Sequence, residues 1–81
     1  MMDLTEARSY FEATLVRAIA DIRASSKRAE IREIEFRTGG QIDLCYEMGM
    51  LSQADRTSAW TRLHTTVANH FVELKRSKAK K

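Results

Sequence analysis

The residues able to do chemistry are few, and their spacing argues against most of it. His64 and His70 stand six positions apart. On a helix that spacing puts them on well-separated faces, unlike the i,i+4 pair of a zinc-binding helix. Cys45 is the only thiol, so a metal site would need further ligands that no spacing announces. Serine, histidine and aspartate all occur, but no nucleophile elbow brings them into one motif. A chain of 81 residues also leaves little room for a large pre-formed pocket. The expectation is therefore no catalytic residue, no metal, no cofactor and no small-molecule substrate. His64 borders an apolar stripe and is expected at a helix interface.

The cations offer a second chemistry. The formal net charge is +3 and the pI about 9.4, yet Lys75, Arg76, Lys78, Lys80 and Lys81 hold five of the 14 basic residues. That leaves nine basic against 11 acidic groups in residues 1–74: a near-neutral body with a basic tail. Such a tail attracts RNA, DNA or acidic protein in a way that salt weakens, or simply keeps the chain soluble. With Gly49 set at a turn, the segment around it resembles the helix-turn-helix of DNA-binding proteins over about twenty residues. Leu44, Cys45, Met48 and Met50 supply small or apolar neighbours there. The resemblance implies a second helix that starts at Ser52 and presents Gln53, Arg56 and Thr57 to base edges. Arg28, Arg32, Arg37, Lys75, Arg76 and Lys78 are then the phosphate contacts. Asp55 and Ser58 stand where that pattern places apolar residues, and Asp43, Glu47 and Asp55 repel phosphate. Nucleic-acid binding through a degenerate helix-turn-helix and the tail is thus the alternative function.

The elements that position these groups read as helices. Proline is absent and strong helix formers are plentiful. Asp3 and Glu6 suit a capping box. Leu4, Ala7, Phe11, Leu15, Ala18, Ile19 and Ile22 then follow three- and four-residue steps, predicting an amphipathic helix over 4–24. Ser25-Ser26 ends or bends it. Residues 27–48 are ambiguous. As a helix they gather Ile31, Ile34, Ile42, Cys45, Tyr46 and Met48 on one arc, with Phe36 and Leu44 left off it and Gly39-Gly40 as a break or a close-packing point. As a hairpin, Ile34 to Arg37 and Gln41 to Leu44 alternate around the glycines. Gly49 as a left-handed cap and Ser52 with Asp55 as a capping box favour a helix running up to a tight turn. A third helix is expected from Gln53 to Lys75, its Trp60, Leu63, Val67, Phe71 and Leu74 forming a narrow seam of coiled-coil type.

The chain is short enough that folding buries only ~60–65% of its unfolded surface. The predicted fold is all-α: a small bundle of three main helices, residues 1–75, with a basic, frayed tail at 76–81. The alternative is α+β with a hairpin at 31–46. The thin core and narrow seam favour a homodimer or a protein partner, with Trp60, Leu63, Val67, Phe71, Leu74, Met48 and Met50 at the interface. The function expected is non-enzymatic, a regulator, inhibitor or adaptor that docks a helical face on a larger macromolecule. A phage- or plasmid-encoded modulator would suit this size. A single cysteine, no signal pattern and no membrane-length apolar run point to the cytoplasm.

Overall fold

In a computed structural model describing residues 4–79, three helices follow one another: α1 (Leu4–Ala24), α2 (Arg28–Glu47) and α3 (Gln53–Ala79). The described residues contain no strand, which overturns the α+β alternative with its hairpin at 31–46. Helix α2 also passes through Gly39-Gly40 without a break. The reason is periodic. Ile31, Ile34, Thr38 and Ile42 are buried at helical steps, a burial that an alternating strand could not give them. A helix further satisfies its own backbone, whereas an isolated hairpin is marginal in water.

Helix α1 buries Ala7, Phe11, Leu15, Ala18 and Ile22, the face read from the sequence. The expected capping box at its start involves Asp3, which lies outside the described residues. Buried Ser25 ends the helix. Its N–H donates to the Ile22 carbonyl at 3.2 Å, while its hydroxyl accepts the Lys27 N–H at 3.2 Å. Lys27 then opens α2 in an extended conformation with no side-chain cap.

The turn between α2 and α3 has the predicted chemistry. Gly49 has φ +78°, and its N–H donates to the Tyr46 carbonyl at 3.0 Å while that of Met50 donates to the Cys45 carbonyl at 2.9 Å. These two bonds make a Schellman motif. Three residues on, the Asp55 N–H donates to the Ser52 hydroxyl at 3.1 Å and the Ser52 N–H to Asp55 Oδ2 at 3.4 Å, a reciprocal capping box.

The core joins α1 and α2 to Leu51 and to Ala59, Leu63 and Val67 of α3. Leu15, Ile22, Ile31, Ile42 and Leu63 are its fully buried large side chains, each worth roughly 1.5–3 kcal/mol against exposure. Helix α2 lies antiparallel to its neighbours. Arg8 meets Asp55 at one end of the α1–α3 pair, and Ser25 meets His70 at the other. The result is a rod of 52 × 21 × 17 Å. Helix α3 continues past Lys75 through Arg76 to Ala79, and the fraying expected at Lys80-Lys81 lies outside the described residues. Among those residues, no helix is long and apolar enough to cross a membrane.

Candidate functional site

The most distinctive surface lies along α2 where it meets α3. A Cβ placed on Gly39 would sit 3.1 Å from Trp60 Cζ2 and Cζ3 and closer still to Cη2. The indole therefore rests directly on the α2 backbone, and Gly39 is a close-packing point. Gly40, its neighbour, faces the other way: a Cβ there would meet nothing within 4 Å. One turn before Gly40, Phe36 is 85% exposed. Phe36, Gly40 and the Trp60–His64 edge line an open groove of about 790 Å³.

Polar ties hold the groove's α3 wall in place. Asp43 Oδ1 accepts the Trp60 indole N–H at 3.0 Å and Arg56 Nε at 2.9 Å. Those two bonds, from Trp60 first and Arg56 second, hold the Asp43 carboxyl below its ordinary range. Arg56 also lies over the Tyr46 ring at 4.9 Å. His64 stacks on Trp60 with centroids 4.7 Å apart, and its Nδ1 lies 2.9 Å from Glu35 Oε2. Arg32 Nη1 donates to the other Glu35 oxygen at 2.8 Å. Partial burial works against ionising Glu35, but the hydrogen bonds from Arg32 and His64 outweigh it, so its pKa lies below the usual value. No hydroxyl or thiol among the described residues bonds His64, so the Glu35–His64 pair serves as an interhelical tie. Compared with protein-family models, with curated proteins and with solved structures, the chain matches none of them.

The structure sorts the residues proposed from sequence into three places. Leu63 and Val67, at 0% and 2% exposure, are spent inside the bundle, and Trp60, Phe71 and Leu74 pack against the core margin. Most of the α3 seam therefore faces its own chain. Met50 is half-buried at the turn and Met48 is exposed. The cations divide by position. Arg28 and Arg32 sit beside Phe71, at the same end as Lys75 and Arg76, with Lys78 further along α3. Gln53 and Arg56 open α3 at the opposite end, and Arg37 is exposed in the middle of α2. The two helices around Gly49 run side by side, from the Asp43–Arg56 pair to the Arg28–Phe71 contact, not across one another as in a groove-reading helix-turn-helix.

Sequence reasoning did not name Phe36, Gly40 and Leu44 as a surface. The signal was present, because Phe36 and Leu44 fall off the α2 core arc, and both are exposed. Ala29, Glu33, Phe36, Gly40, Asp43 and Glu47 also recur at alternating four- and three-residue steps, the spacing of a seam that faces another helix. Burial of Cys45 pushes its thiol pKa up, away from the reactive range. Among the described residues no three His, Cys, Asp or Glu side chains converge as metal ligands would.

Proposed function

We propose that this chain is a non-enzymatic docking module, a small regulator, inhibitor or adaptor. Its α2 face and the adjoining groove receive a basic amphipathic helix from a larger protein partner. One observation carries the reading: an 85% exposed phenylalanine stands one turn from Gly40, whose bare backbone has open space where a side chain would be. Leaving such a ring in water forgoes roughly 2–3 kcal/mol of burial free energy. A missing Cβ lets a second helix approach closely, as small residues do at helix contacts. Leu44 and Met48, 56% and 65% exposed, continue the same edge by four-residue steps.

Charge indicates the occupant. Glu33 and Glu47 share the seam with Phe36 and form no ion pair among the described residues, while Asp43 and Arg32 are already paired with Arg56 and Glu35. A partner helix with an apolar ridge and flanking lysines or arginines complements that pattern. A second copy of the chain fits less well. In an antiparallel α2–α2 pair with Phe36 over the partner's Gly40, Glu33 would face an aspartate already paired with arginine, so a second copy offers the seam's carboxylates no free cation in return.

A photo-crosslinking residue at Phe36, compared with one at exposed Ala13 on α1, tests the proposal in cells of the native host. A discrete adduct at position 36 alone, lost when Gly40→Leu fills the slot, is the expected result. Adducts at both positions, or at neither, would sink it, and an adduct of twice the protomer mass would assign the face to a second copy.

A further inference from the structure

A different part of the molecule carries a second interaction surface. Folding sorts the charges along the rod. Residues 20–32 and 67–79 come together at one end, since His70 Nε2 hydrogen-bonds the Ser25 carbonyl at 2.6 Å, and Arg28 and Arg32 lie over the Phe71 ring. This end carries seven cations and three carboxylates, whereas the rest of residues 4–79 carries five cations and seven carboxylates. Linear sequence hides the sorting, because Arg23, Lys27, Arg28 and Arg32 lie more than forty residues from Lys75 and Arg76.

Four of the cations at this pole are also uncommitted, while Arg32 and Arg76 pair with Glu35 and Glu73. Away from the pole Arg17 and Arg37 form no ion pair among the described residues either. Toward the other end Arg8, Arg56 and Arg62 are each paired with a carboxylate at 2.7–3.0 Å. At the pole Arg23, Lys27, Arg28 and Lys75 are exposed and form no ion pair among the described residues. Arg28 and Arg32 hold their guanidinium groups 5.0 and 4.8 Å from the Phe71 centroid. That stacking orders both groups and leaves the N–H edge of Arg28 free to donate, while Arg32 Nη1 is engaged by Glu35 at 2.8 Å.

We propose that this pole binds the phosphate backbone of duplex nucleic acid. The contact is with phosphates and not with bases. Phe71 is the aromatic ring at this end, and guanidinium groups already cover it, so it is not a stacking platform for single strands. A membrane is a poorer fit: Val72 is the exposed large apolar side chain among the described residues of the pole, too little to anchor among acyl chains. Four free cations correspond to about four displaced counterions, a log–log salt slope near −3.6, and roughly a hundredfold loss of affinity between about 50 and 200 mM salt.

The test uses the full chain, fluorescence anisotropy and a labelled random duplex DNA of about 20 base pairs, titrated across that salt range. A slope between about −3 and −6 on the wild type supports the proposal. Lys27→Glu with Lys75→Glu should cost at least about tenfold in affinity, while Arg17→Glu with Arg37→Glu, the same change in net charge away from the pole, costs under about threefold. Circular dichroism checks that both variants keep their helicity, and the wild-type slope stands without either. No binding at low salt, equal losses from both double variants, or binding to phosphatidylserine vesicles without binding to duplex would each overturn the proposal.

Discussion

A methyl group added at Gly39 would run into a Trp60 ring that cannot move aside freely, because Asp43 holds its N–H and His64 stacks on its face. A methyl group added at Gly40 would meet only solvent. Both positions gain about 1 kcal/mol of helix propensity from alanine, so the difference between them isolates packing. Gly40→Ala should stabilise the chain by about 1 kcal/mol, raising Tm by about 4–8 °C for a domain of this size. Gly39→Ala adds overpacking of about 1–3 kcal/mol against that gain, and its Tm should fall. Chemical denaturation of both variants decides the point, and equal shifts would contradict the Trp60 contact. Titration gives a second check on this cluster. Asp43 and Glu35 have lowered pKa values in the folded chain. Their contribution to stability is therefore present above their ordinary values of 3.8 and 4.5 and is lost as pH falls through the folded ones. Thermal melts between about pH 6 and pH 2 should show Tm falling with acid, and Asp43→Asn should narrow that fall by lowering the neutral-pH value most.

Where a local rule marks a helix boundary, the turn at Gly49 is the sharpest case. A Cβ at Gly49 would touch nothing within 4 Å, so Gly49→Val tests backbone conformation alone. The left-handed φ of +78° resists a β-branched residue, and the expected loss is about 1 kcal/mol or more, with Gly49→Asn costing less. An unchanged Tm for the valine variant would contradict the Schellman turn. Caps of this kind depend on a few adjacent residues, which is why the turn, the bounds of α1 and the start of α3 could be read from sequence. The state of residues 27–48 was harder to read. Gly39-Gly40 suits a hairpin and a helix equally until Trp60, twenty-one positions away, is known to lie on Gly39. The exposed α2 face was not singled out for a related reason. Periodicity identifies an apolar stripe on α3 without saying what covers it, and in the fold Leu63 and Val67 are covered by this chain's own core.

At the scale of the whole molecule the question is whether one chain completes its own core. A domain of this size is only marginally stable, so a homodimer that shared core residues would lose its fold on dilution. Buried positions come from all three helices and from Leu51 in the turn, and the large side chains left exposed, Phe36, Leu44 and Met48 among them, lie outside that cluster. We therefore expect the core to close within the protomer, so that a partner would add to a folded surface. Two consequences separate this from obligate dimerisation. Tm should stay constant over about a hundredfold range of protein concentration, whereas an obligate dimer melts higher as concentration rises. Leu63→Asp should abolish folding at every concentration, because it buries an unpaired charge in the centre of the bundle, while Phe36→Asp leaves stability within about 0.5 kcal/mol of the wild type, as surface substitutions do. Light scattering and melts on the three proteins distinguish the cases, and a wild-type Tm that climbs with concentration would place part of the core between chains.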